Sequence, residues 1–436
     1  MMNKAYFTIW CLTISIFNTN GQTPFNKIHA FGYIQAFGHA IFECDELIYI
    51  AGTAVPQGTI ERNIHVSSFD LDGGFIKSII WDNGNVDAEL NFIASNNNID
   101  IYKGQLIFGY SSNARPDCLV SVDKDLIQTK LISCYSDNDP ENQLSISSQI
   151  VFPKDSLITI SLASNNKLIV AIVDLLNLNT YDIIDLSFHD EFIYIPSKLL
   201  KNKSDNELFI MGYFLEFGPG GGIEGGQYGL FNIKLNSLLQ VKEEHYVLDN
   251  ISGLPIDMDA IIDTNGSIVC IASQIDRVAL EIDRNNAMRR PVVLKFDKNM
   301  ELIWQQAFGS YFKNSHNIHK SLVESHDKDG YIIVGFQRTD AILGGDYIGV
   351  IGKISHDGDS LWYKQVYDLY DDNKNEIEDV LASSDGYYIA TGTRNLRTDD
   401  DSIASRVQTW LIKFDEQGDL VELGSTSISD PNKMKL

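Results

Sequence analysis

Ten arginines carry the most specific chemical signal in this chain: Arg62, Arg115, Arg277, Arg284, Arg289, Arg290, Arg338, Arg394, Arg397 and Arg406. All ten fall in the irregular segments that follow one recurring type of apolar run, whereas the lysines are scattered along the whole sequence. A guanidinium presents a planar fork that bonds a carboxylate, sulfate or phosphate through two parallel hydrogen bonds, which an ammonium cannot match. Arg62, Arg115, Arg277, Arg338, Arg394, Arg397 and Arg406 are therefore read as candidate ligand-binding residues for an anion. The competing reading pairs the arginines with acids of their own segments, such as Asp276, Glu281, Asp283, Asp340, Asp346 and Asp399 to Asp401. Exposed pairs of that kind staple a loop at little net gain each.

Histidine and tyrosine add a weaker set. His316 and His319, with Tyr311, lie in or beside one connecting segment, and His189 in another. Histidine and tyrosine can serve as base and acid in removing a proton beside a carboxylate that an arginine neutralises. His316, Tyr311 and His189 are the catalytic candidates on that logic, against the plainer reading of surface or capping histidines. Asp371-Asp-Asn-Lys-Asn-Glu376 alternates oxygen ligands as a calcium loop does, but lacks the central Gly and the closing Glu. The Gly-rich run from Gly218 to Gly226 has neither the strand–helix context nor the Gly-Lys-Ser of a nucleotide loop. No Cys/His spacing reads as a zinc site, so no metal and no cofactor is expected.

The charge balance, 34 Lys and Arg against 59 Asp and Glu, gives a formal net charge of −25. It argues against a nucleic-acid partner, which needs a basic footprint, and against adhesion to anionic membranes. Lys4, the apolar run from Ala5 to Phe17 and the polar stretch to Gln22 read as a signal peptide over residues 1–21. No later segment is apolar for long enough to span a bilayer, so no membrane insertion is expected. The expected locations are the medium or the cell surface, with the periplasm as a further option. Cys118 and Cys134 flank one hairpin and face each other if its turn centres near residue 126.

The elements that must position these residues come from a repeat. Pro291 to Trp304, Gly349 to Trp362 and Trp410 to Glu422 align with one another, and Asp329-Gly-Tyr-Ile-Ile-Val-Gly335 matches Asp385-Gly-Tyr-Tyr-Ile-Ala-Thr-Gly392. A polar residue recurs at Asp70, Asp123, Asp174, Asn236, Asp297, Ser355 and Asp415, at steps of 51 to 62 residues. Each copy holds short runs rich in Ile, Val, Tyr and Phe, punctuated by Asp-Gly or Asn-Gly, and none shows a sustained helical period. Four strands, a to d, in each of seven copies predict an all-β, seven-bladed propeller over residues 22–427. Residues 428–436 then form a C-terminal tail. Asn26 to Gly32 reads as an extra strand d that pairs with the last blade. The small residue late in strand b reads as a point where neighbouring blades approach closely.

These units resemble the degenerate propeller repeats of exported bacterial proteins, with a Lys-x-Asp-x-x-Gly-x-x-x-Trp core and an Asp-Gly-Tyr-Ile-x-x-Gly partner. The resemblance implies a fold and no single activity. The core is also similar to the tryptophan-docking repeats of quinoproteins, but only Trp81, Trp304 and Trp362 fit that role, and no vicinal Cys pair is present. Ser355 to Trp362 looks like the Asp-box turn of sialidases, with Asp359 in place of Gly, and is read as an ordinary c–d turn. Pro431 to Leu436 looks like the lead-in to a type IX secretion sorting domain. On a propeller all ten arginines share one face. The expected function is a monomer binding an anionic glycan, acidic or sulfated, or an extracellular protein partner through that face. The alternatives are a lyase or hydrolase of uronate glycans there, and a structural surface module.

Overall fold

Apolar runs separated by polar turns form 28 strands and no helix among the described residues of a computed structural model. It describes residues 25–420 except 30, 32–34, 57–62, 82–98, 113–114, 128, 134–143, 153–155, 164–166, 176–178, 187–188, 190–191, 203–205, 217–227, 249–257, 276–288, 308–315, 339–346, 367–374 and 397–405. No helix there is long and apolar enough to cross a membrane.

The strands build seven four-stranded antiparallel sheets. The first strand, β1 (Phe25–His29), precedes blade 1, which is β2 (Gln35–Cys44), β3 (Leu47–Val55), β4 (Asn63–Asp70) and β5 (Phe75–Trp81). Blade 2 is β6 (Ile99–Tyr102), β7 (Gln105–Ser112), β8 (Arg115–Asp123) and β9 (Thr129–Ser133). Blade 3 is β10 (Leu144–Phe152), β11 (Ser156–Ala163), β12 (Leu168–Asp174) and β13 (Asn179–Asp185). Blade 4 is β14 (Phe192–Lys201), β15 (Leu208–Glu216), β16 (Tyr228–Leu235) and β17 (Val241–Leu248). Blade 5 is β18 (Met258–Ile262), β19 (Ile268–Ile275), β20 (Arg289–Phe296) and β21 (Leu302–Ala307). Blade 6 is β22 (His316–Glu324), β23 (Gly330–Arg338), β24 (Tyr347–Ser355) and β25 (Ser360–Val366). Blade 7 takes β26 (Asn375–Ala382), β27 (Tyr388–Leu396) and β28 (Arg406–Phe414), and its fourth strand is β1.

The fold is the expected seven-bladed propeller, and the N-terminal strand closes the ring. Phe25 lies opposite Lys413 and His29 opposite Thr409. Successive strand residues point to opposite sheet faces, so each blade buries one face against each neighbour. Tyr388, Ala390, Trp410 and Ile412 of blade 7 pack on Ile332, Val334 and Ile351 of blade 6. Ile389 and Leu411, on the other face, join Ile41, Ile48 and Ile50 of blade 1.

Five of the seven inner strands carry a register shift at the same height, between Gly38 and Ala40, Ile146 and Ser148, Pro196 and Lys198, His319 and Ser321, and Ile377 and Asp379. Such a bulge bends the strand and increases its twist. It also corrects the reading of the small residue in strand b. A Cβ on Gly335 would stand 2.0 Å from the Ile318 carbonyl oxygen, and one on Gly392 would stand 1.9 Å from that of Glu376. The close approach is to the blade's own inner strand at its bulge, not to a neighbouring blade.

The recurring residue after strand c organises the c–d turn. Asp297 accepts from the Asn299 and Glu301 amides at 2.8 and 2.9 Å, and Asp415 from Gln417 and Asp419 at 3.0 and 2.8 Å. Ser355 does the same through its hydroxyl, which makes Ser355–Trp362 the expected c–d turn.

Lysine and tryptophan then lock blades 5, 6 and 7 each to the next. Lys353 of β24 is buried, 2.7 Å from Asp327 and 2.6 Å from Asp329 in its own a–b turn, and 2.6 Å from Glu416 of blade 7. Lys413 pairs with Asp385 in its own blade and donates to the Leu71 carbonyl of blade 1 at 2.8 Å. Trp304 Nε1 donates to the His356 carbonyl of the next blade at 2.8 Å, and Trp362 Nε1 to that of Glu416 at 3.2 Å. The Trp362 ring lies against Gly418, where φ is 71°. Trp81 does not take this role. It pairs with Ile64 at the far end of β5, and Lys77 holds the docking register, donating to the Asp125 carbonyl of blade 2 at 2.9 Å. Cys118 lies opposite Ser133, and Cys134 is outside the described residues.

Candidate functional site

The meander places a–b and c–d turns at one end of every blade and b–c and d–a connections at the other. Six arginines lie on described strands, all at the second end. Arg115 opens β8, Arg289 and Arg290 open β20, and Arg406 opens β28; Arg338 closes β23, and Arg394 stands two residues before the end of β27. Arg62, Arg277, Arg284, Arg397 and Tyr311 lie outside the described residues, as do the Gly218 to Gly226 run and most of the Asp371 to Glu376 loop.

Arg394 is not the exposed loop cation that its sequence context implies. It is 2% exposed, and burial pushes its guanidinium down to about 10. Strand register sets Asn375 opposite it on β26 and Gln408 opposite it on β28. The three side chains therefore form one row across blade 7, on the face that carries Ile377, Gly392 and Trp410 toward blade 6. All three are buried. Among the described residues, both polar atoms of the Gln408 amide and the Asn375 Oδ1 have no hydrogen-bond partner. A buried polar group left unmatched costs about 1–3 kcal/mol. The row offers a guanidinium and an amide N–H to an oxyanion, and two amide oxygens to hydroxyl donors. Asn375 and Gln408 carry no motif; their one sequence signal is an amide on a strand face that is otherwise apolar.

Blade 6 meets this row with aromatic surface. The Phe336 and Tyr347 rings lie 5.2 Å apart, and Lys320 Nζ is 5.8 Å from the Phe336 ring centre and 3.7 Å from Glu378 of blade 7. Arg338 lies opposite Tyr347 on one side and opposite His316 on the other.

The catalytic candidates are not gathered into one place by the described residues. His316 opens β22 of blade 6, but His189 belongs to the connection into blade 4, with blade 5 between them. The His189 ring packs on Phe192 and Tyr246 at 4.9 and 5.5 Å. His319 is neither a surface nor a capping residue. It is 1% exposed beside Tyr363, and burial pushes its imidazole down to about 3, so it is neutral.

No family profile and no curated protein matches the chain. Solved structures do. A polysaccharide lyase of a new family, an ulvan lyase, superimposes with a TM-score of 0.57 at 9% identity, over 87% of this chain and 95% of that one. The same lyase bound to -[GlcA(1-4)Rha3S]- gives 0.55 at 9% identity over the same shares. A puromycin hydrolase gives 0.50 at 9% identity, covering 90% of this chain and 54% of that one. At this identity the likeness is one of fold.

The turn end holds the described acidic cluster that has metal-ligand spacing, Asp327, Asp329 and Glu416, with oxygens within 4.8 Å of one another. Lys353 Nζ bonds all three, so the cluster's cation is the protein's own. Burial works to lower the Lys353 amine, and the bonds to the three acids outweigh it and hold the amine above its ordinary range.

Proposed function

We propose that this chain is an exported protein that binds an anionic glycan, bearing uronic carboxylates or sulfates, at the loop end of its propeller. The observation that carries the reading is the buried row Asn375–Arg394–Gln408, where a guanidinium stands beside amide groups with unused hydrogen-bonding capacity. A sugar acid presents both complements, an oxyanion for the guanidinium and Gln408 Nε2, and hydroxyls for the two amide oxygens. The gathering of the six described arginines at this end of an acidic chain supports it. So does the propeller of similar fold described as bound to -[GlcA(1-4)Rha3S]-. Titration of the full chain with uronate and sulfated oligosaccharides, and with neutral ones of equal length, tests the reading. Binding confined to the charged set is expected, and equal affinity for both sets, or none, overturns it.

His316 opposite Arg338 favours a second reading on the same ligand class, eliminative cleavage. Arg338 neutralises the uronate carboxylate, and His316 takes the proton from C5. The electron pair forms the C4–C5 double bond as the C4–oxygen bond breaks, and the departing oxygen takes up a proton. Incubation with uronate polymers, followed by ultraviolet absorbance of unsaturated ends, separates the readings: new absorbance makes the site a lyase, and none leaves it a binder.

A further inference from the structure

At the inner strands of blades 4 to 7 and 1, buried polar groups form a continuous line. Lys198 Nζ of β14 lies 2.7 Å from Asp259 Oδ1 of β18. Asp259 Oδ2 accepts the Leu322 amide of β22 at 3.1 Å and stands 3.2 Å from the Ser321 hydroxyl. That same hydroxyl is 2.7 Å from Asp379 Oδ1 of β26. Asp379 Oδ2 accepts the Ile41 amide of β2 at 2.9 Å, across the boundary where the ring closes. Asp259, Ser321 and Asp379 have no solvent exposure.

One hydroxyl stands between two carboxyl groups, and it has one proton. It donates to one of them, so the other contact is a hydrogen bond only if that carboxyl carries a proton and donates it to Ser321 Oγ. Asp259 lies against the Lys198 ammonium, so the Ser321 hydroxyl is assigned to donate to it and Asp379 to donate the other bond. We propose that Asp379 is protonated in the folded protein below neutral pH, donating to Ser321 Oγ, and that this proton is a pH-sensitive part of the contact that closes the ring. The charge count agrees. Lys198 and Asp259 cancel, so an ionised Asp379 would leave one net negative charge buried.

Of the charged or titratable groups on the elements packed against β26, these are engaged elsewhere or set apart from Asp379. Glu378 pairs with Lys320 of β22. On β2, Glu43 binds Ser383 and Ser384, and His39 stacks on Phe37. On β22, His319 is neutral. Arg394 of β27 lies opposite Asn375, whereas Asp379 lies opposite Thr391. Lys353 of β24 is held by three acids at the turn end. Burial first, then the field of Asp259, pushes the Asp379 carboxyl up from 3.8 to about 7, against the bonds from the Ile41 amide and Ser321 and the Lys198 charge. A carboxyl raised on folding stabilises the folded state fully below its unfolded value of 3.8 and loses that contribution as pH rises through about 7. Within that window the unfolding equilibrium constant rises about tenfold per pH unit from this group.

Infrared spectroscopy of the full chain reads the proton directly. At pH about 6 ordinary carboxyls are ionised, so a carboxylic C=O band that disappears as pH rises past about 7 is expected, and its absence overturns the proposal. Asp379→Asn keeps an acceptor for the Ile41 amide and a donor for Ser321. It is expected to fold, to lack the band, and to lose the fall in melting temperature that the wild type shows between pH about 5 and about 7. An unchanged band in Asp379→Asn, or an unchanged pH profile, also overturns it. If that variant does not fold, Asp259→Asn with the wild type decides. Removing the neighbouring negative charge moves the band's titration to lower pH, and a titration that stays where it was refutes the assignment.

Discussion

The two ends of blade 7 hold their buried cations in different surroundings. At the turn end every buried lysine of strand c has an answering acid. Lys234 lies 3.0 Å from Glu207, Lys295 lies 3.4 Å from Asp263, Lys353 meets three acids and Lys413 meets Asp385. At the loop end, Arg394 is buried in a row whose amide atoms are left unmatched. A repeated, satisfied arrangement builds the ring, and the unrepeated row with its unmatched amide atoms is where a ligand has something to add.

The largest effect that tests this contrast comes from Lys413. Lys413→Ala removes the ammonium from Asp385 and from the Leu71 carbonyl of blade 1, leaving a nearly buried carboxylate uncompensated. Breaking one partner of a buried pair costs about 3–5 kcal/mol, to be measured by denaturant unfolding at constant pH. Lys413→Met, which also leaves Asp385 alone, should be comparably poor. The double change with Asp385→Leu should recover much of the loss.

A step smaller is Gly418→Ala. The added Cβ would stand 2.7 Å from the Trp362 ring, whose indole is held by the Glu416 carbonyl, on a backbone at φ 71°. Strain and overpacking together cost about 2 kcal/mol. Gly266→Ala, at φ 80° with open space around it, isolates the backbone part and should cost about 1 kcal/mol. Equal losses at the two sites would mean that the tryptophan contact contributes nothing. Smaller again is Lys364→Ala, which removes an exposed pair with Asp419 at the same end. It should change stability by less than about 0.5 kcal/mol, so that burial and not proximity makes the latch.

The legibility of this molecule follows the same division. Strand b and c boundaries, the recurring turn residue and the closing strand could be read because side-chain alternation and turn chemistry are local. The buried lysines were readable too, since Val-Leu-Lys295-Phe and Leu-Ile-Lys413-Phe set a charge inside an apolar strand, a signal overshadowed by the clustering of arginine. Trp81 misleads because it is aromatic and on strand d, yet its register differs by four residues from the docking position held by Lys77. The inner-strand bulges are silent in the sequence. They shift the period by one residue, and Asp379 reaches Ser321 and Ile41 only through contacts with other blades. Arg394 was legible as an arginine at the right end, but its burial was not, because Asn375 and Gln408 adjoin it only through strand register.

A small expected change in stability, at Arg394, is also the sharpest separation of the two ends. Arg394→Met keeps the long apolar stem that packs between the blades and removes a guanidinium whose burial already disfavours its charge. Folding should shift by about 1 kcal/mol at most, with a gain as acceptable as a loss. If the row serves a ligand, affinity for a uronate or sulfated oligosaccharide should fall at least about tenfold, the equivalent of one charge-assisted hydrogen bond. Gln408→Leu, which removes both unmatched amide atoms, should stabilise the fold slightly while also weakening binding. A large loss of stability in Arg394→Met with affinity intact would instead make this row another latch, and the two ends would then differ in sequence but not in kind.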